Sequence, residues 1–262
     1  MSEGNSKSAR DKAKAARLAA EAANKRRERL IRILGAGVVV IIVAAIIVAA
    51  LVTSNKGGGN TGPTANPSAQ LPNDVNSTTY AYQVTKSPAA GIPLVQIWED
   101  FQCPACKAYE GTFAPSIYAA AAAGTINLQL RPTTFLDGNF PQSNNTSARA
   151  TSAWGCAIDA GKPLEFHSAV FTAQPTPEGT PVSEAQFIEI GKQAGISGPA
   201  FDSFSSCVNA KTFESWAANS FQIFEQDKVP GTPTIYVNGK ELPLKGISTP
   251  DQLLAKIKTM AA

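Results

Sequence analysis

Across 262 residues the chain has a single histidine, two methionines and three tryptophans, and only four cysteines. Four cysteines are too few to build a small disulfide-stapled knot of this length. A 44% hydrophobic content excludes disorder throughout, and 20 glycines exclude a collagen-like chain. There is no phosphate-binding loop, no Ser/His/Asp arrangement and no internal repeat. Charge is also sparse, at 16% of residues, with a net +3 that conceals an asymmetry. Residues 1–32 hold ten basic side chains against four acidic ones, a net +6, which leaves −3 for residues 33–262. The basic character belongs to a tail, and the length suits one or two domains with room for a sizeable core.

The longest feature without polarity is the run from Ile33 to Val52, built from Val, Ile, Ala, Leu and two glycines. At about 1.5 Å per residue its 20 residues span about 30 Å, the thickness of a bilayer's hydrocarbon core. A transmembrane helix is expected over residues 33–53, as an anchor that stays uncleaved, because the run is longer than the core of a signal peptide. No cysteine follows it closely, which excludes a lipoprotein. Lys25, Arg26, Arg27, Arg29 and Arg32 precede the span and only Lys56 follows closely, so residues 1–32 are expected to be a cytoplasmic tail. That tail reads as a topology signal with a solvated face, with lipid headgroups as its alternative contact and no nucleic-acid partner. Residues 54–74, rich in Gly, Pro, Asn and Ser, read as a flexible linker, which places residues 75–262 outside the cytoplasm.

This outer part reads as mixed α/β. Strands are expected at Thr78 to Thr85, Pro93 to Trp98 and Thr125 to Arg131, with a helix from Cys103 to Ala123. Helical patterns separated by Gly and Pro fill about residues 140–225 and look like an insertion. A hairpin follows, Thr234 to Val237, the turn Asn238-Gly239 and Glu241 to Leu244, and a closing helix runs from Thr249 to Met260.

Cys103-Pro104-Ala105-Cys106 is the most informative tetrapeptide. A zinc site would need two more ligands, and Cys156, Cys207 and His167 supply no second pair of metal-ligand spacing, so no metal is expected. A redox role fits better. Cys103 at a helix N-terminus faces free backbone amides and the positive end of the helix dipole, which stabilise a thiolate. Cys106, one turn inside, is placed to attack a mixed disulfide formed through Cys103. Pro104 opens the helix without losing a hydrogen bond, and Ala105 adds no charge or hydrogen bond.

The strand PLVQIWEDFQ leading into CPAC, with Val229-Pro230-Gly231-Thr232-Pro233-Thr234 running into TIYVNG, resembles the DsbA-like branch of the thioredoxin superfamily over residues 79–260. The resemblance implies a thioredoxin-like fold with an inserted helical domain, and a cis Thr232-Pro233 bond facing the active-site cysteines. It also implies reoxidation by a quinone-linked membrane partner of the DsbB or VKOR kind, with no organic cofactor. Two departures stand out. The buried acid six positions before the first cysteine in many relatives is here Ile97; Glu99, on the same side of the strand, either substitutes for it or is an exposed strand-end carboxylate. Ala105 stands where strongly oxidising members have a histidine, which implies a weaker oxidant.

With Cys103 paired to Cys106, the remaining pair is Cys156 with Cys207, expected as a stabilising disulfide in an oxidising compartment. His167 is expected on a helix surface with no role in catalysis, and the phenylalanines and tryptophans of residues 154–224 as core and groove. The expected function is an extracytoplasmic, membrane-anchored monomer that donates disulfides to reduced exported polypeptides. Its rivals are a reductase running the same exchange backwards, a non-catalytic peptide-holding chaperone, and a basic tail that recruits a cytoplasmic partner.

Overall fold

The computed structural model describes residues 62–261. The expected tail and span, and the linker up to residue 61, lie outside the described residues, among which no helix is long and apolar enough to cross a membrane.

Five strands form one sheet: β1 (Tyr82–Gln83), β2 (Leu94–Glu99), β3 (Asn127–Pro132), β4 (Thr234–Val237) and β5 (Lys240–Leu242). Their order is β1-β3-β2-β4-β5, with β2 and β3 parallel and every other pair antiparallel. β2 is therefore central, and Val95, Ile97, Trp98 and Glu99 are all buried on it. A row of amides crosses the sheet: Gln96 donates to Gln129, and Gln129 to Gln83, each at 2.9 Å. The β4–β5 turn places Asn238 and Gly239 at φ 49° and 77°, the left-handed pair a two-residue hairpin requires.

Between β2 and β3 lie α1 (Pro104–Thr112) and α2 (Ala114–Ala122). The single helix expected over this stretch is broken at Phe113, because Pro115 has no N–H to continue the ladder and sits in the first turn of a new helix. After β3 come α3 (Phe135–Asn139), α4 (Thr146–Asp159), α5 (Pro163–Thr172), α6 (Glu184–Gln193), α7 (Pro199–Ala210) and α8 (Glu214–Gln226), then the hairpin and α9 (Pro250–Ala261). α4 is the axis of the inserted helices, buried from Thr146 to Ile158. Its small residues let neighbours approach closely; a Cβ on Gly155 would lie 2.6 Å from the Phe213 ring and 2.8 Å from Pro72. Cys156 of α4 and Cys207 of α7 form a disulfide with Cα atoms 5.8 Å apart.

Two boundaries differ from the sequence expectation. The strand expected at Thr78 to Thr85 shrinks to Tyr82–Gln83 because Asn76 Oδ1 accepts the backbone N–H groups of Thr78 and Thr79, both at 2.8 Å, and Tyr80 turns to φ 55°. The expected linker also ends early. Asn66 exchanges two hydrogen bonds with the Asn219 side chain of α8, at 2.8 and 2.9 Å, and Pro72 is buried against α4.

Candidate active site

The end of β2 hands the chain to α1 through Asp100, Phe101 and Gln102, and this link fixes where Cys103 points. Asp100 is fully buried. One of its carboxylate oxygens accepts from Gln102 N at 2.9 Å and from the Ser147 hydroxyl, and the other from Leu136 N at 3.1 Å. Gln102 in turn donates to Asp137 and Ser147, each at 2.8 Å, and Asp137 accepts the N–H groups of Ser147 and Ala148 at the start of α4, each at 2.9 Å. From the opposite side Gln174, just past α5, donates to the carbonyls of Phe101 and Cys103 at 2.9 and 3.1 Å. The inserted helices thus grip the turn that carries the cysteine, a function of Asp100, Asp137, Ser147 and Gln174 that sequence reading missed. An acid directly before a Cys-x-x-Cys turn was the available signal.

Cys103 occupies the N-cap of α1 and Cys106 lies one turn inside; both are buried free thiols, while Pro104 and Ala105 are exposed. The Thr232–Pro233 peptide is cis, and the Thr232 carbonyl oxygen lies 3.4 Å from Cys103 Sγ. The structure therefore brings Cys103, Pro104, Ala105, Cys106, Thr232 and Pro233 to one place, across 129 residues of sequence. The pairing of β2 with β4, Trp98 opposite Thr234, is what joins the two loops. Cys156 and Cys207 are elsewhere, inside the helical insertion.

The two thiols are electrostatically unlike. A hydrogen bond from Cys106 is the main reason the Cys103 thiol falls to about 6; burial opposes the shift, while Thr232 and the amides of Cys106 and Ala105 assist it. Cys106 moves the other way, pushed well up by burial first and then by its contact with Cys103 and the charge of Glu99.

Beneath Cys106 lies a cluster of buried ionisable groups. Glu99 is buried, not exposed, and neither of its carboxylate oxygens has a hydrogen-bond partner among the described residues. Burial raises its carboxyl well above the ordinary range, with the charges of Glu110 and Cys103 adding to the effect. His167 is also buried, which corrects the expectation of a surface histidine. α5 turns that side chain inward against the rings of Trp154, Phe101 and Phe171, with centroids 4.8, 5.1 and 5.1 Å away. Its Nε2 lies 3.6 Å from Glu99 and its Nδ1 lies 3.5 Å from Glu110. Glu110 also accepts from Tyr118 at 2.9 Å and Ser168 at 3.2 Å. Burial pushes Glu110 up, but the electrostatic attraction and hydrogen bond of His167, with those two hydroxyls, outweigh it and hold the carboxyl below its usual value.

Glu99, Glu110 and His167 are the trio among the described residues with ligand atoms close enough to share a metal ion, all within 4.8 Å. Within the trio, Nε2 of the ring is the nitrogen nearest Glu99 and Nδ1 the one nearest Glu110.

Comparison with known proteins adds the following. The sequence profile of the thioredoxin family matches residues 88–259. No curated protein sequence matches the chain. Among solved structures, the chain is similar to DsbA from Mycobacterium tuberculosis in its reduced form, with 27% identity, 70% of this chain and 92% of that one covered, and a TM-score of 0.55. It is also similar to MdbA, a thiol-disulfide oxidoreductase from Actinomyces oris, with 19% identity, 79% and 94% covered, and a TM-score of 0.60. For BdbD from Bacillus subtilis, oxidised, the values are 19% identity, 77% and 99% covered, and 0.56. The last two likenesses concern the fold.

Proposed function

The chain belongs to the thioredoxin family, and from that premise we propose that it is a DsbA-type thiol-disulfide oxidoreductase that donates disulfide bonds to reduced exported polypeptides. The observation that carries this reading is the opposed environment of its two thiols. Cys103 is held near 6 by Cys106, Thr232 and the α1 amides, and Cys106 is held well above the ordinary thiol range by burial. Stabilising the Cys103 thiolate stabilises the reduced form, and a protein whose reduced form is favoured gives its disulfide away.

The exchange follows from these positions. A substrate thiolate attacks Cys103 Sγ of the oxidised pair; a substrate–Cys103 disulfide forms, the Cys103–Cys106 bond breaks, and Cys106 leaves as a thiolate that takes up a proton. The substrate's second thiolate then attacks the substrate sulfur of the mixed disulfide, forming the substrate disulfide and releasing Cys103 as a thiolate. Cys103 is the sulfur attacked because it stands at the N-cap beside exposed Pro104 and Ala105, while Cys106 is wholly buried. The Thr232 carbonyl beside Cys103 Sγ presents a backbone acceptor to an extended substrate peptide. Glu99 is assigned the role of proton donor and acceptor for Cys106.

On this reading the catalytic domain works outside the cytoplasm, tethered through the apolar run Ile33 to Val52, as a monomer. The basic flank from Lys25 to Arg32 supports that orientation. A membrane partner of the DsbB or VKOR kind, linked to quinone, returns the dithiol to the disulfide.

The deciding experiment is the reduction potential of Cys103–Cys106, obtained by equilibrating the chain against glutathione buffers. A value of about −120 to −180 mV, the range of DsbA and protein disulfide isomerase, supports donation. A value of about −270 mV, that of thioredoxin, turns the assignment to a reductase.

A further inference from the structure

Every exchange at Cys103–Cys106 leaves a proton to be moved at Cys106, yet that sulfur is fully buried, and a bound substrate covers the Cys103 side. The cluster below offers another way out. Glu99 ends β2 four residues before the N-cap Cys103 of the helix that carries Cys106, and its charge acts on the Cys106 thiol. Its two oxygens have no hydrogen-bond partner among the described residues, a costly state for a buried carboxylate that serves only structure. His167 brings Nε2 to 3.6 Å from Glu99 and Nδ1 to 3.5 Å from Glu110. Those gaps close to hydrogen-bond length with a few tenths of an ångström of side-chain movement.

Glu110 is the point where this chain reaches the outside. With Ser168 it lines a surface pocket of about 210 Å³ between α1 and α5, bordered also by Lys107, Gly111, Phe171 and Thr172. Neither Cys103 nor Thr232 lines that pocket. Ser168 is half-buried and donates to Glu110 at 3.2 Å, so the carboxylate is in hydrogen-bonding reach of a group at the pocket wall.

We propose that Glu99, His167 and Glu110 form a proton path connecting Cys106 to the pocket between α1 and α5, a back exit that stays open while substrate occupies the Cys103 face. When the disulfide is broken, the Cys106 thiolate takes the proton of Glu99. Glu99 is reprotonated from Nε2 of the neutral His167 ring as its unprotonated Nδ1 takes a proton, through Glu110, from water in the pocket, so that the ring passes from one neutral tautomer to the other. When Cys106 attacks a mixed disulfide, each transfer runs in reverse and the proton leaves through the pocket. No redox equivalent is needed beyond the exchange itself. The inference rests on the oxidoreductase reading and adds to it the route of the proton.

The groups that face the path are Glu99 of β2, Cys106, Tyr109 and Glu110 of α1, Tyr118 of α2 and His167 of α5. Lys107 stands at the pocket but is tied to the carbonyls of Thr172 and Gln174 at 3.3 and 3.2 Å.

The test is made on the full chain carrying a mixed disulfide between Cys103 and glutathione, by following the release of glutathione as Cys106 attacks, from pH 5 to 9 and in heavy water. Iodoacetamide alkylation of Cys103 in the reduced chain is the parallel readout, since it does not use the path. His167→Gln is expected to slow release by about tenfold or more at neutral pH and to change its pH profile and solvent isotope effect. The rate and pH midpoint of Cys103 alkylation are expected to stay within about twofold of wild type. Unchanged release kinetics in His167→Gln overturn the path. If that variant does not fold, Glu110→Gln at the exit is expected to give the same selective slowing, and its wild-type behaviour overturns the path equally. Failure of the wild-type chain to form or resolve the mixed disulfide overturns the oxidoreductase reading instead.

Discussion

Cys103 Sγ and the carbonyl oxygen of Thr232 lie 3.4 Å apart although 129 residues separate them, and the acidity of the Cys103 thiol comes from Cys106 and, with a smaller share, the side chain of that threonine. Cys106 makes the largest contribution. Alkylation of Cys103, followed against pH, is therefore expected to show a midpoint of about 6 in the reduced protein. Cys106→Ala is expected to move that midpoint upward, towards the ordinary thiol range, by about one unit or more, since a hydrogen bond to a charged group is worth about 1.5–3 kcal/mol. A midpoint that stays put in Cys106→Ala would show that Thr232 and the α1 amides hold the thiolate without Cys106.

The grip of the inserted helices on the active-site turn is a second measurable property. Asp100→Ala removes the acceptor for Gln102 N, Leu136 N and the Ser147 hydroxyl, all buried. Each orphaned buried donor costs about 1–3 kcal/mol, so the substitution is expected to cost at least about 2 kcal/mol in denaturant unfolding. Asp100→Asn keeps an acceptor oxygen and is expected to lose less. Equal stability in wild type and Asp100→Ala would mean that the turn is held by Gln174 without help from Asp100.

What the sequence carried of this architecture was whatever short-range chemistry decides. CPAC declares a helix start, TIYV-NG declares a hairpin, and LVQIW declares a buried strand, and each lies where local pattern puts it. Where the outcome depends on distant partners, the pattern fails. His167 lies in an unremarkable helical stretch, and its burial follows from Trp154 of α4 and Phe101 of the β2–α1 link closing over it beside Phe171 of its own helix. Glu99 could not be assigned an environment because the end of a strand is exposed or covered according to what the insertion does. The expected β-strand before Tyr82 gave way to a side-chain turn at Asn76, a local signal overridden in reading by the Thr-Tyr-rich run that follows.

Buried carboxyl groups make stability depend on pH, and the sign can be worked out. Burial raises Glu99 well above its ordinary value in the folded protein. A raised folded-state pKa gives a contribution that is whole below the unfolded carboxylate pKa and is lost as pH rises through the folded value. The oxidised protein isolates this effect, because its thiols no longer titrate. Its stability is expected to fall from mildly acidic towards alkaline pH, and Glu99→Gln is expected to flatten the fall by up to about 1.4 kcal/mol per pH unit, the most that one proton can supply. Parallel profiles for wild type and Glu99→Gln would place the pH dependence on Asp100, which burial also raises.

Close packing around α4 sets a limit on side-chain size. A Cβ at Gly155 would lie 2.6 Å from the Phe213 ring and 2.8 Å from Pro72, both well inside van der Waals contact. Gly155→Ala gains helix propensity, worth about 1 kcal/mol, but must displace Phe213, which is buried. Overpacking costs about 1–3 kcal/mol, so the net expectation is a loss of up to about 2 kcal/mol in thermal or denaturant unfolding. A stabilised Gly155→Ala protein would show that the segment carrying Pro72 yields without cost.

The disulfide between Cys156 and Cys207 links α4 to α7, two helices of the insertion, across 51 residues of chain. Replacing both by serine is expected to lower stability by about 2–4 kcal/mol, with about 4 kcal/mol as the chain-entropy value for a loop of this length. Resolution of a mixed disulfide at Cys103 is expected to remain near wild type in the double variant, because the α1 turn is held by Asp100 and Gln174. The single variant Cys156→Ser is a sharper case. It leaves Cys207 as a half-buried free thiol in a chain that carries its own oxidant at Cys103. Intermolecular exchange then produces Cys103–Cys207 linked dimers, which non-reducing electrophoresis detects and which the double variant cannot form. Active monomers from Cys156→Ser, with Cys207 unmodified, would mean that the Cys207 thiol is sheltered by the Phe204 and Phe213 side of the insertion rather than exposed by loss of its partner.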